Sequence, residues 1–555
     1  MKIKMSRGIG EPFRTINVPD GSTAEQIYNK YKDSIDYGIY AAMIDNKVKP
    51  LTRKVKEGSE VRFLDIRSKQ AYLIYQHSLV LMMLKAAKDV IGKAHFEVKM
   101  MINEGLYIEP KTKADIDEDA IAKIYIRMKE LVDADLPIEE KSMSRRKSQD
   151  LLADEGLTDD SKLRHFFGEN ETVRLCTIDD YSDFFCYYMV PSTGYLTNFE
   201  LMRYRDGMLL RFAQPDNPND IPNFVDEYIV YRAFAEQNEW NELLGVKYVA
   251  DLNEKIKSGN YRNIIQLSEA LHDKKIVTIA NEITEKKKRM ILILGPSSSG
   301  KTTFAHRLLI QLMVNGLKPL YIGTDDYFVE REETPKDENG EYNFEGIDAL
   351  DVKLFNEQMS ALLAGKEVDM PVFDFIEGHK VFGKKITKIE ENCPIIIEGI
   401  HAFNPALTEQ IADEEKFKIY LSPLTQINLN AHNRIPTTDT RLIRRIVRDN
   451  RSRGNGAATT ISRWNKIHSE ENKNIFPYTS QADVFFNSVL TYEIAVMKRY
   501  AAPLLREIGS DEPEYSEAQR LLGLYNFVEE IEDDEAITTN SILREFIGDS
   551  IFDGE

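Results

Sequence analysis

Residues 292–309 read LILGPSSSGKTTFAHRLL, and Gly295 to Thr302 within them have the spacing G-x-x-x-x-G-K-[ST] between an apolar run and a helical pattern. Glycines let such a backbone curl until its N–H groups and the start of the helix face phosphate oxygens. Gly295, Pro296, Ser297, Ser298, Ser299 and Gly300 would form the cradle, Lys301 would reach the β and γ phosphates, and the Thr302 hydroxyl would be placed for Mg²⁺. The run KPLYIGTDDYF ends in Asp325 and Asp326, where a carboxylate could orient and deprotonate a hydroxyl; a capping or turn pair is the plainer alternative. In CPIIIEGIHAF, Glu398 is a carboxylate inside an apolar run, suited to Mg²⁺ or its water shell. DTRLIRRIVRDNRSRG places Arg441, Arg444, Arg445 and Arg448 on one helical face and Leu442, Ile443, Ile446 and Val447 on the other. Such a cationic face is read as a lid that clamps phosphates, against the alternative of a solvated stripe.

These groups need elements to hold them. From about residue 290 to 510, MILILG, KPLYIGT, CPIIIEG, KFKIYLS and DVFFNS alternate with helical patterns, which predicts an α/β fold with a parallel sheet covered on both faces. Two α+β regions precede it. In residues 1–67, TINVPDGST predicts a strand and turn, AEQIYNKYK a helix and SEVRFLDI a closing strand. Residues 68–222 open with the helical YLIYQHSLVLMMLKAAKDV and close near the proline-rich AQPDNPNDIP. Residues 223–285 read as a helical connector, 286–510 as the α/β region, and 511–555 as an extension whose last helix, NSILREFIG, docks on the body.

With 555 residues, 42% of them hydrophobic, the chain can build three or four cored domains. Cys176, Cys186 and Cys393 have no metal or disulfide spacing, which suits a reducing compartment, and a cytoplasmic location is expected. The N-terminus lacks an apolar signal core, and AYLIYQHSLVLMMLKAA is broken by Gln76 and His77, so no membrane association is expected. A net charge of -19 argues against nonspecific nucleic-acid binding by the whole molecule. Residues 44–69 are the local exception, with eight Lys or Arg against four Asp or Glu.

The motifs of residues 288–500 resemble, in content and order, the uridine kinase and phosphoribulokinase family of P-loop kinases. GPSSSGKTT, DDYF, YNFEGIDALD, PVFDF, IEGI, TRLIRRIVRD and ADVFF carry the resemblance. It implies ATP on the cradle, Thr303 included, with Asp325 as the base on a ribose 5'-hydroxyl. It further implies that Phe328 lines the nucleoside site and that Arg445, Arg448 and Arg453 serve substrate and ATP. Departures fall on the acceptor side. Glu345 stands where the family has Asp, Phe373 and Gly378 stand where it has Tyr and His, and His379 follows one residue on. Asn455 and Arg463 replace an Arg and a Gln. Recognition of a pyrimidine therefore does not carry over, because buried polar partners set such specificity.

The first region resembles a TGS domain and the second resembles the second N-terminal domain of threonyl-tRNA synthetase. That domain's two paired motifs appear as HSLVL and CYYMV, so His77 and Cys186 remain while Leu81 and Val190 replace histidines. Half a constellation cannot run the same metal or acid–base chemistry, so inherited editing is not expected. The expectation is an ATP- and Mg²⁺-dependent nucleoside kinase (uridine kinase-like) acting on the 5'-hydroxyl of a nucleoside or related small metabolite. The family's precedent favours a homo-oligomer. Two other readings stay open: a regulatory RNA- or ribosome-binding P-loop NTPase using Lys54 and Lys56, and an amino-acid ligand at the N-terminal regions that tunes the kinase.

Overall fold

The computed structural model describes residues 1–553 apart from 112–115, 156, 158–165, 169–170, 337–339, 341, 375–376, 391 and 426. Phe375, the last residue of PVFDF, lies outside the described residues.

The chain opens with β1 (Lys2–Ser6), β2 (Arg14–Asn17), α1 (Ala24–Tyr31), β3 (Ile39–Ile44), β4 (Lys47–Lys49) and β5 (Glu60–Asp65). They form a five-stranded sheet of order β2-β1-β5-β3-β4, with β1 and β5 parallel. Thr23 caps α1, accepting from the Gln26 N–H while Gln26 caps the Thr23 N–H in return. The expected strand, helix and closing strand are present; β1, β3 and β4 are additions.

Next come α2 (Lys69–Ile91), β6 (Phe96–Ile102), β7 (Gly105–Pro110), α3 (Glu118–Ala134), β8 (Ile138–Ser144), α4 (Arg145–Asp154), β9 (Thr172–Ile178), β10 (Tyr181–Phe184), β11 (Phe199–Tyr204) and β12 (Gly207–Phe212). They make a three-stranded and a four-stranded sheet around α2. The greasiest stretch of the sequence is thus a core helix: it is buried from Leu73 to Ala87, and no described helix is long and apolar enough to cross a membrane.

Three helices follow, α5 (Tyr228–Leu244), α6 (Val249–Lys257) and α7 (Tyr261–Glu285). Then come β13 (Met290–Leu294), α8 (Lys301–Val314), β14 (Leu320–Gly323), α9 (Val352–Leu363), β15 (Val368–Asp374), β16 (His379–Thr387), β17 (Ile395–Gly399), α10 (Pro405–Thr408) and β18 (Lys416–Ser422). The chain ends with α11 (Thr437–Arg453), α12 (Ala457–Asn474), β19 (Val484–Asn487), α13 (Glu493–Arg506), α14 (Tyr515–Tyr525) and α15 (Arg544–Ile547). The predicted parallel sheet is present, in the order β14-β17-β13-β18-β19. Strand alternation divides β13 between two cores. Ile291 and Ile293 pack with α7, α8 and α13, whereas Met290, Leu292 and Leu294 face α9 and the β15–β16 hairpin. Leu252 and Ile265 of the connector and Leu521 and Phe546 of the extension join the first of these cores. In NSILREFIG only Arg544–Ile547 is helical; the rest turns, because Ser541 and Thr538 carbonyls take local N–H bonds instead of continuing a helix.

Candidate active site

Strand order brings the chemistry together. Glu398 on β17 is level with Ile293 of β13 on one side and Gly323 of β14 on the other. The P-loop leaves β13 one residue further on, and Asp325 follows β14 by two. Ligands of open α/β sheets bind at such carboxyl ends. Within the P-loop, Ser298 has φ 60° and Gly300 φ 90°, the left-handed region that Gly tolerates. At Gly295 a side chain would run into the Leu421 carbonyl and Ser299.

The Lys301 ammonium lies 3.6 Å from a Glu398 oxygen and donates to the Pro296 carbonyl at 3.3 Å. The Thr302 hydroxyl donates to Glu398 at 3.4 Å, and the Tyr321 hydroxyl donates to the same oxygen at 3.2 Å. Burial raises the Glu398 pKa and Lys301 opposes the rise, while Asp325 and Glu545 add to it. A hydroxyl and a carboxylate facing the phosphate cradle are hard oxygen donors and fit Mg²⁺. Asp325 stands at the base of the cleft with its side chain open to solvent. Enclosure by the surrounding protein raises its pKa, Asp326 pushes the same way, and Lys301 and Arg453 oppose. Glu345 is half-buried and its pKa is raised by burial, with Arg445 opposing; Asp325 and Lys301 also act on it. Phe328 and Phe373 are buried and meet edge to face at 5.7 Å.

The arginine helix departs from expectation. Arg441 and Arg444 are buried rather than lying on an exposed cationic face, because each is paired with a buried carboxylate. Arg441 pairs with Glu471 and donates to the Ser297 carbonyl at 3.2 Å. Arg444 binds Glu493 at 2.5 and 2.6 Å and donates to the Ser298 and Ser299 carbonyls. These two guanidiniums hold the P-loop from behind. Arg445 donates to the Ser297 hydroxyl at 2.7 Å, and Arg445, Arg448 and Arg453 all approach the buried Asp449, at 3.2, 2.8 and 3.6 Å. Glu471, Glu493 and Asp449 were not singled out from sequence; their only signal is a carboxylate on an otherwise amphipathic helix. Nor was Glu545, which accepts from the Thr303 hydroxyl at 2.9 Å, with Ile542 packed against Gly300.

His379 is not brought in with the others. It is exposed on β16 opposite Asp374, while the adjoining Gly378, at φ 81°, closely approaches the Arg331 side chain. Asn455 is half-buried just beyond α11 and Arg463 is exposed on α12.

His77, on α2, and Cys186, just after β10, belong to the second region and not to this cleft. His77 Nδ1 donates to the Leu73 carbonyl at 2.7 Å, its ring packs 4.5 Å from Tyr187, and burial lowers its pKa to about 4. Burial raises the Cys186 pKa to about 12, so it stays a thiol. Among the described residues no cluster of three or more His, Cys, Asp or Glu could hold a metal ion. The basic stretch is also dispersed. Arg67 pairs with Asp65, Lys69 pairs with Asp439 and Arg62 covers Phe13, while Lys54 and Lys56 are exposed.

Residues 290–495 match the phosphoribulokinase / uridine kinase family. A uridine kinase of Mycoplasma genitalium is 31% identical over 183 residues, which cover 33% of this chain and 76% of that enzyme. The chain belongs to this family. It is thus a P-loop kinase, a phosphotransferase, over its C-terminal part. The N-terminal region matches the threonine–tRNA ligase of Staphylococcus saprophyticus, 26% identical over 202 residues, or 36% of this chain. The chain spans 30% of that ligase's length. A solved structure described as a possible uridine kinase from Bacillus stearothermophilus is 20% identical, with a TM-score of 0.27, over 39% of this chain and 98% of its own.

Proposed function

We propose that this kinase transfers the γ-phosphoryl group of ATP to the 5'-hydroxyl of a nucleoside or a related ribose-containing metabolite. The supporting observation is the arrangement of Lys301, Asp325, Glu345 and Arg445 around one cleft, each acting electrostatically on at least one of the others. Lys301 and the P-loop N–H groups hold the phosphates, and Arg445, Arg448 and Arg453, gathered by Asp449, neutralise charge that develops during transfer. Thr302 and Glu398 would hold Mg²⁺, which would supply charge neutralisation at the β and γ phosphates. Asp325 takes the acceptor's proton, and the Phe328–Phe373 pair gives the acceptor an apolar wall. Phe373 cannot hydrogen-bond a pyrimidine edge, so the acceptor is selected by shape and by Glu345 more than by base pairing groups. Residues 1–67, 68–222, 223–285, 286–510 and 511–555 are taken as its TGS-like, synthetase-like, connector, kinase and extension units.

The test is ADP release by the full chain with ATP and Mg²⁺ against a panel of nucleosides and sugars, with Lys301→Ala as the blank. Stimulation by one acceptor is expected. An equal slow rate with every acceptor, raised by tRNA or ribosomes, would replace this reading with the RNA-linked NTPase.

A further inference from the structure

A cavity of about 1150 Å³ opens where the first sheet, the second region, the loop before α11 and α14 meet. Its described wall carries five Lys or Arg against one carboxylate, Glu171, in a chain of net charge -19. Two of the five are neutralised by neighbours, Arg174 by Glu140 and Arg520 by Asp439 and Glu517. A third, Lys47, lies over the Tyr515 ring at 5.5 Å. Lys49 and Arg434 have no carboxylate within ion-pair distance among the described residues. Burial lowers the pKa of both; at Lys49 the neighbouring Arg53 and Lys47 lower it further, while at Arg434 the charge of Asp439, beyond ion-pair distance, opposes the fall without reversing it. Enclosing cations without a counter-charge is costly unless something else supplies the charge. Tyr187, Tyr188 and Phe527 add flat apolar surface beside them.

We propose that this cavity binds a small organic anion bearing a planar ring, its phosphate or carboxylate on Lys49 and Arg434 and its ring against the aromatic side chains, and that the bound anion acts on the kinase site through α11. Cation plus aromatic face is the pairing that recognises such molecules. The route is short. Arg434 is three residues from the start of α11, the helix whose Arg441, Arg444 and Arg445 hold the P-loop. The loop that carries it is anchored in the second region: Val98 N–H donates to Ala431 at 2.9 Å, Cys186 N–H to Asn433 at 2.9 Å, and His432 meets Asp183 at 2.6 Å. A ligand that moves Arg434 must pull on this loop and so on α11. The coupling is reciprocal, so ATP must change the anion's affinity by the same factor.

Titration calorimetry on the full chain with uridine 5'-monophosphate and with 4-hydroxyphenylacetate separates a phosphate from a carboxylate source, with uridine as the uncharged control. At least one anion is expected to bind, at least about tenfold tighter than uridine, and to lose about tenfold in Arg434→Gln and in Lys49→Ala, the loss expected when a charged partner is removed. Lys301→Ala should leave it unchanged. Lys49 is only half-buried, so this variant keeps the test valid if Arg434→Gln lowers the melting temperature. The bound anion should also shift MgATP affinity, read by equilibrium dialysis without turnover, by about threefold or more, a typical coupling. Absence of binding at millimolar anion, binding that survives both cavity variants, or binding lost in Lys301→Ala overturns the site. An unchanged MgATP affinity overturns the coupling. Where the kinase acceptor is uridine itself, the loss in Arg434→Gln and Lys49→Ala, which line the cavity, is what separates this site from the kinase cleft.

Discussion

Asp325 carries a pKa raised by its enclosure and by Asp326 against the pull of Lys301 and Arg453. A general base works only when deprotonated, so activity disappears as pH falls through that pKa. The acid limb of kcat/KM is therefore expected above the ordinary aspartate value of about 3.9. Asp325→Asn should abolish the limb and lower kcat by about 10²–10⁴, leaving MgATP affinity within about twofold. Steady-state pH profiles and equilibrium dialysis check both; unchanged turnover in the variant would remove Asp325 as base. The places of Lys301, Asp325 and Glu398 were legible in the sequence because the P-loop spacing points to Lys301 at the start of a helix, while Asp325 and Glu398 stand at the ends of apolar strands. Glu471 and Glu545 were not, because their partners, Ser297 and Thr303, stand 174 and 242 residues away and only the packed helices bring them together. The same packing explains why four arginines in one helical register split, two turning inward onto carboxylates that no local pattern announces.

At the scale of elements, α11 serves as a strut under the P-loop and as a holder of charge above it. Arg444 is fully buried and shares its charge between Glu493 and two P-loop carbonyls. Glu493→Gln leaves that cation without its counter-charge, and a loss of about 3–5 kcal/mol is expected in denaturant unfolding, with weaker MgATP binding where the fold persists. The C-terminal extension has the opposite influence. Glu545 accepts from Thr303 at the first turn of α8, and its charge acts on Glu398, so it repels an incoming nucleotide's phosphates. Glu545→Gln should lower the KM for ATP by about twofold to fivefold, corresponding to roughly 0.5–1 kcal/mol between partly solvated charges, with kcat little changed. A raised KM would show instead that the carboxylate helps to shape the P-loop. That the end of the chain returns to the P-loop is invisible in NSILREFIG, where apolar spacing indicates docking but not where.

Across the whole molecule, one buried carboxylate ties three parts of the chain together. Asp439, in the first turn of α11, accepts from Arg520 of α14 at 2.6 and 2.8 Å and pairs with Lys69, the first residue of α2; Glu517 completes the group at 2.7 Å from Arg520 and 3.4 Å from Lys69. Burial alone would raise the Asp439 pKa, yet Arg520 and Lys69 overcome it and hold the carboxyl below its usual range. The sign follows from linkage. A depressed folded-state pKa contributes stability that is fully present above the unfolded value, about 3.9, and lost as pH falls from there through the folded value. Asp439→Asn keeps the shape but leaves Arg520 and the half-buried Lys69 to share Glu517 alone, so unfolding should become easier by about 1–3 kcal/mol at neutral pH. Part of the acid sensitivity of the wild type should vanish with it. If the sheet of residues 1–65 and the kinase sheet unfold together in the wild type, the variant should draw their transitions apart, since it removes the carboxylate by which Lys69 reaches α11 and leaves the bonds between the second region and the loop before α11 to hold them. Calorimetry at pH 7 and pH 4 reads this directly. A single transition at unchanged temperature in the variant would mean that the apolar contacts between the regions, not this charge cluster, make the chain unfold as one.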